Sequence, residues 1–333
     1  MYATLRNGAA SKILGRLAGL LLIIGLVVPS HADPSYPARP VQIVVPYPPG
    51  GLTDVLTRAI AERLTKIWPQ PVITMNRPGA NGGIATASVA KANPDGYTLL
   101  FGTDATLATN LSLYLNVPYN PVKDFAPIIT LGSYQMMLVV NEDVPAKTFS
   151  EFVEYARSHR PPLNYGSVGI GSAHHLSMEV LKSLANIDLV HVPYRGGGPA
   201  TLAHLAREIP VMFNGPVSIK DHVELGRLRV LAVTGKSRSP LFPYAPTIAE
   251  SGYPTFNIVN WYGLLAPAET PPDIVEKVRA DVAKVTEQQE FREWMVNQGI
   301  EPMYGGPVEF RALIVSEIDR LGQVVKASGA KLE

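Results

Sequence analysis

The chain of 333 residues carries 29 Lys+Arg against 28 Asp+Glu, a net charge of +1, with 46% hydrophobic residues, 28 Gly, 30 Pro and no Cys. Its length supports about two domains at ~100–200 residues each, and the near-neutral balance lacks the basic excess that a nucleic-acid partner requires. The absence of Cys excludes a disulfide scaffold, a thiolate metal site, cysteine catalysis and lipid attachment through an N-terminal cysteine.

Arg6, Lys12 and Arg16 form a basic start, residues 17–28 an apolar run, and Ser30 and Ala32 place small side chains before a cleavage point. This is the three-part layout of a secretory leader. A bilayer span needs ~20 apolar residues, so the run is too short for an anchor. Residues 1–32 are therefore expected to be a signal peptide, and the mature chain to start near Asp33. No second hydrophobic span follows. The expectation is an exported, soluble protein, periplasmic in a Gram-negative source.

Residues 41–46 are a β-branched run closed by Tyr47-Pro48-Pro49-Gly50-Gly51. Thr53 and Asp54 then open an amphipathic helix over 55–68, with Leu56, Ile60, Leu64 and Ile67 at helical spacing. Further strands are expected at 72–75, 97–101, 136–140, 163–165, 190–192, 210–213 and 228–233. Helices fall between them at 82–91, 150–159, 174–184, 199–206 and 219–225. Such alternation argues for an α/β protein of parallel sheets under helical cover. The tail, at 272–286, 289–298 and 307–328, reads as three successive helices with no strand between them.

Three loops at the C-terminal ends of these strands carry the chemical information. Tyr47 to Gly51 feeds a helix N-terminus, where unpaired N–H groups and the helix dipole favour an anion. Glycine there lets a carboxylate approach the backbone. The plainer alternative is an ordinary turn capped by Thr53 or Asp54. A second loop, Tyr165-Gly166-Ser167-Val168-Gly169-Ile170-Gly171-Ser172, leads into His174 and His175, and a third is Val192-Pro193-Tyr194-Arg195-Gly196-Gly197-Gly198-Pro199. Ligands of α/β folds gather at this edge of the sheet. Asp104 follows the 97–101 strand, either capping the next helix or lining the cleft.

Enzyme motifs do not complete themselves. Around Ser167 the first Gly of a nucleophile elbow is Tyr165. The run Gly169-Ile170-Gly171-Ser172-Ala173-His174 lacks the last Gly of a dinucleotide fingerprint, and neither a phosphate loop nor a His-Glu-x-x-His helix occurs. His174 and His175 are adjacent and diverge on a helix, so they do not chelate together. His175 reads first as a packed or helix-end histidine. No metal or cofactor is expected.

The segments Pro46-Tyr47-Pro48-Pro49-Gly50-Gly51-Leu52-Thr53-Asp54, Asn76-Arg77-Pro78-Gly79-Ala80-Asn81-Gly82-Gly83, Pro94-Asp95-Gly96-Tyr97 and Tyr119-Asn120-Pro121-Val122-Lys123-Asp124-Phe125 recur in order with Trp261-Tyr262-Gly263-Leu264-Leu265-Ala266-Pro267. In this the chain resembles the Bug family of extracytoplasmic solute receptors, the binding components of tripartite tricarboxylate transporters. The resemblance implies an α/β, two-lobed, periplasmic-binding-protein-like (type II) clamshell, each lobe a mainly parallel sheet covered by helices. Lobe 1 would span 33–134 plus 261–333 and lobe 2 residues 135–260, with the C-terminal helices returning to lobe 1. It implies a non-enzymatic monomer that holds a small organic carboxylate between the lobes and serves the transporter's membrane subunits.

The carboxylate would sit among Gly50, Gly51, Ser167, Gly169 and Ser172, with a hydroxyl from Thr103. Tyr47, Pro48, Pro49, Asp104, Ala105, Gly171, His175, Tyr194, Arg195, Gly196 and Asn214 complete the expected lining. Asp104 and Asn214 depart from the small polar residue and the Asp that relatives commonly carry, so they bear on the far end of the ligand. Two other readings share the scaffold: a sensory receptor signalling to a membrane kinase, and an exported hydrolase, which needs a placed base and nucleophile.

Overall fold

The computed structural model describes residues 36–330, so the expected leader and the expected start of the mature chain lie outside the described residues. The described residues form one compact unit containing two sheets. The first strand, β1 (Val41–Val45), leads through the glycine loop into α1 (Leu52–Ile67), whose Leu56, Ile60 and Leu64 are buried. β2 (Val72–Asn76), α2 (Gly83–Ala90) and β3 (Thr98–Thr103) follow. After β3 the chain turns at once into a helical segment, a π-helix over Ala105–Thr109 running into α3 (Asn110–Leu113). That segment, β4 (Phe125–Gln135) and β10 (Val259–Pro267) lie outside the expected elements. Pro127, Gly132 and Gly263 interrupt β4 and β10 in sequence, whereas in the sheet the two strands pair throughout, absorbing the irregularity in two register shifts.

The first sheet has the order β11-β4-β10-β3-β1-β2, where β11 (Glu301–Pro302) is a short strand between two tail helices, where the sequence reading expects none. The second sheet is built from β5 (Met137–Asn141), β6 (Leu163–Ser167), β7 (Leu189–Pro193), β8 (Val211–Asn214) and β9 (Leu228–Val233), in the order β7-β6-β8-β5-β9. Helices α4 (Phe149–Ser158), α5 (Ala173–Ala185), α6 (Gly197–Leu205) and α7 (Pro216–Glu224) connect its strands. Both sheets are mixed rather than mainly parallel. β1–β2, β1–β3, β6–β7 and β6–β8 are parallel, but every pairing made by β4, β5, β9 and β10 is antiparallel. These four strands carry the chain between the sheets, so they enter each sheet against the direction of its βα units.

The two crossings lie side by side. β4 passes into β5 through Met136 alone, and Met136 N–H donates to Thr234 Oγ1 at 2.9 Å while Thr234 N–H donates to Met136 O at 3.0 Å. The tail helices α8 (Pro272–Thr286), α9 (Gln289–Asn297) and α10 (Pro307–Ser328) return to the first sheet. Phe310 of α10 meets Trp261 edge to face at 5.8 Å inside the apolar cluster that also holds Val44, Leu100, Leu107 and Leu265. The second sheet has its own core around Tyr165, Phe152, Phe213 and Phe256. A smaller cluster joins Leu113 of α3, Leu176 of α5 and Val325 of α10.

Candidate functional site

The loop after β1 is shaped from within. Gly50 sits at φ +86°, a conformation that favours glycine, while Gly51 is extended at φ −80° and heads α1. The left-handed requirement thus belongs to Gly50 and not to Gly51. Asp54, buried in the first turn, accepts from Gly50 N–H at 3.0 Å, from Arg58 Nε at 3.0 Å and from Asn76 Nδ2 at 2.9 Å. Burial raises the Asp54 pKa, but these donors outweigh it and hold the carboxyl below its ordinary value. Asp54 therefore staples the loop from inside the helix and occupies the Gly50 N–H; the N-cap is Gly51 and not, as the plainer reading of this turn expects, Thr53 or Asp54. The N–H groups from Gly51 through the first turn of α1 remain, since a helix start provides them no intrahelical acceptor. Pro48, Pro49, Gly50 and Gly51 are exposed, and Tyr47 is half-buried with its hydroxyl 3.3 Å from Thr103 Oγ1.

Thr103, not Asp104, caps the helical segment after β3: its hydroxyl accepts from Thr106 N–H at 3.3 Å. Asp104 already has helical backbone angles and its side chain makes no cap bond. It is 6% exposed, with Ala105 buried beside it. Burial first, and then the Glu317 carboxylate, push its carboxyl up to about 7, while Arg320 pulls the other way. Arg195 is exposed and does not act on Asp104; the cation that does is Arg320, itself held by Glu317 at 2.7 Å through two nitrogens.

The β6–α5 loop satisfies much of its own polarity. Ser167 Oγ lies 2.6 Å from His191 Nε2 and 3.1 Å from Gly169 O. Ser172 caps α5 and donates to Gly169 O at 2.6 Å. Gly171 N–H donates to His175 Nδ1 at 3.1 Å, so His175 shapes the loop as a neutral ring. Both serine hydroxyls expected on the ligand are thus engaged inside the loop, and the first-turn N–H groups of α5 remain. His175 and His191 stack at 4.1 Å, and Tyr165 lies nearly parallel to both, 4.8 Å from His191 and 6.4 Å from His175. Burial lowers His175 and takes His191 and His174 down to about 4. His191, which the sequence reading left out, is visible there only as a polar residue inside an apolar strand.

The remaining expected residues divide. Tyr194 N–H donates to Ser167 O at 2.9 Å, which lays the Tyr194-Arg195-Gly196 loop beside the β6–α5 loop. Gly171 packs against Leu113 instead of opening to solvent: a Cβ there would stand 2.0 Å from Leu113 Cδ2. Asn214 is saturated, donating to Thr201 Oγ1 at 3.0 Å and accepting from Gly215 N–H at 2.9 Å and the Ser218 hydroxyl at 3.0 Å. A hydrolase reading gains a Ser–His contact but not its setting. Ser167 is fully buried, and among the described residues no carboxylate hydrogen-bonds His191 to orient it.

Two α/β lobes joined by paired crossing strands, with a glycine loop and helix start at the C-terminal edge of each sheet, define a clamshell solute receptor. The family model described as "Tripartite tricarboxylate transporter family receptor" matches residues 56–330, and the chain belongs to that family. It is 33% identical over 324 residues to Protein BugT of Bordetella pertussis, covering 97% of this chain and 99% of that one. Among solved structures it resembles R. palustris Rpa4515 with adipate, at 34% identity and TM-score 0.84, covering 89% of this chain and 100% of the other. It also resembles MatC (Rpa3494) from Rhodopseudomonas palustris with bound malate, at 33% identity and TM-score 0.79, covering 87% and 100%. The family is one of binding receptors, not enzymes. No helix among the described residues is long and apolar enough to cross a membrane.

Proposed function

We propose that the protein is exported by cleavage near Ala32, captures a small organic carboxylate as a monomer, and presents it to the membrane subunits of a tripartite tricarboxylate transporter. Lobe 1 is residues 33–134 plus 261–333 and lobe 2 residues 135–260. The observation that carries the reading is the pair of helix starts, α1 after the Gly50-Gly51 loop and α5 after the Gly169–Ser172 loop, one from each sheet. Their first-turn N–H groups are donors suited to one carboxylate. Tyr47 and the Tyr194-Arg195-Gly196 loop flank them. The adipate and malate of the two related structures are ligands of this class.

Gly51→Val tests the site. At φ −80° and with Pro48 O at 4.0 Å the nearest atom to its Cβ, an ordinary contact, the position takes a side chain without backbone strain, so valine interferes chiefly with what approaches from outside. Native mass spectrometry of purified protein identifies the retained acid, and calorimetry then measures its affinity. The expected loss in the folded variant is at least about tenfold, roughly 1.4 kcal/mol. An unchanged affinity would remove the α1 loop from the site.

A further inference from the structure

Helix α5 opens on a reciprocal cap. The hydroxyl of Ser172, the N-cap residue, accepts from His175 N–H at 3.4 Å, and the His175 ring reaches back to accept the Gly171 N–H on Nδ1 at 3.1 Å. This is the layout of a capping box, in which Glu or Gln at the third helical position ordinarily supplies the returning acceptor. Here an imidazole supplies it. A glutamine there accepts at every pH, whereas a protonated imidazole carries N–H on both nitrogens and accepts nothing.

The surroundings give a second proton no favourable place on that ring. His175 is 7% exposed, and a proton on Nδ1 would face the Gly171 N–H at the positive end of α5. The titratable and charged groups facing the ring are Tyr165 from β6, His191 from β7, and Glu179 and Lys182 from α5 itself. Glu179 is already engaged, accepting from the Tyr165 hydroxyl at 2.5 Å and from Lys182 Nζ at 2.8 Å. Burial, the largest effect, holds His175 below its ordinary 6.5, while Glu179 pulls it up and Lys182 down. Burial and then His175 take His191 to about 4, and Tyr165 is raised and stays neutral. The neutral ring thus prevails above 6.5, and the acceptor is lost as pH falls through the folded value of His175 beneath it.

We propose that His175 is a positioning residue for the carboxylate site and makes capture depend on pH: the neutral ring holds the β6–α5 loop in its binding form, and the protonated ring frees Gly171 and releases the carboxylate. This rests on the function proposed above and adds to it a condition for release. The Ser172 hydroxyl and N–H both go to Gly169 O, inside the loop, whereas the Gly171–His175 bond ties the loop to the body of α5. Losing that tie loosens the backbone that leads into the first-turn N–H groups. A cation at His175 also attracts an anion, which acts in the opposite direction. The slope of affinity against pH separates the two effects.

Calorimetry with malate and with adipate, from about pH 8 to about pH 5, on the unmodified protein and on His175→Asn tests this. Asparagine carries Oδ1 where the ring carries Nδ1 and does not titrate, so protonation of the acid itself, and of His174 and His191, cancels between the two proteins. The ratio of dissociation constants, unmodified over variant, is expected to rise at least about fivefold on acidification across that range. A second measurement needs no ligand: the exchange protection of the Gly171 amide should fall at least about fivefold over the same range in the unmodified protein and stay level in His175→Asn. A level or falling ratio overturns the proposal, and so does a Gly171 amide indifferent to pH, even where neither acid binds. Each of these leaves the carboxylate receptor standing. A retained ligand lacking any carboxylate would overturn the receptor reading and the release together.

Discussion

Asp104 shows how a single side chain is reassigned by its neighbours. A short acidic residue just after a strand has the composition of a helix cap, yet the hydroxyl of Thr103 takes that role and leaves the carboxyl buried. Its folded pKa of about 7 stands above the ordinary 3.8. Between those values the native state keeps a proton that the unfolded chain releases, so stability declines as pH rises through the window, and the full penalty applies above about 7. Asp104→Asn should therefore stabilise the ligand-free protein by on the order of 2–4 kcal/mol at pH about 8.5 and by little at pH about 4. Denaturant unfolding at the two pH values measures this. Equal effects at both would show that the carboxyl titrates as an exposed one.

At the scale of elements, the β6–α5 loop matters as a joint between the sheets as well as a rim of the site. Gly171 holds φ +76°, and its missing side chain lets α5 seat against Leu113 of α3. Leu176 of α5 and Val325 of α10 complete the same apolar cluster. Gly171→Ala places a methyl where Leu113 already stands and adds backbone strain, so a loss on the order of 1–3 kcal/mol is expected in denaturant melts. Leu113→Ala in the same chain removes the clash but not the strain. The double variant should then lose measurably less than the sum of the singles. Strict additivity would mean that the loop does not rest on α3.

For the whole molecule, the two crossings make a narrow connection between broad sheets. Met136 and Thr234 exchange hydrogen bonds across it, and Gly235 N–H donates to Gln135 Oε1 at 3.1 Å. A connection of this kind concentrates bending in a few backbone torsions. A carboxylate held by helix starts from both sheets gains contacts only when they approach, so differential affinity drives closure. Small-angle scattering should show a smaller radius of gyration with a bound acid than without it. Superimposable profiles at saturating ligand would sink the hinge.

The alternation of β-branched runs and amphipathic helices made the α/β class readable from the chain by itself, because burying one face of each element imposes its own period. The glycine loops were readable for a similar reason: backbone that must turn at a strand end admits few residue types. The crossing strands β4 and β10 were not, since Pro127, Gly132 and Gly263 resemble breaks until a partner strand supplies the other half of each ladder. Which hydroxyls remain for a ligand was likewise undecidable in one dimension. Ser167 is engaged by His191, 24 residues away, and Ser172 by Gly169 O within its own loop. Local sequence determines how each segment turns and which face it buries; the hydrogen bonds between distant segments decide which polar groups are left to meet a ligand.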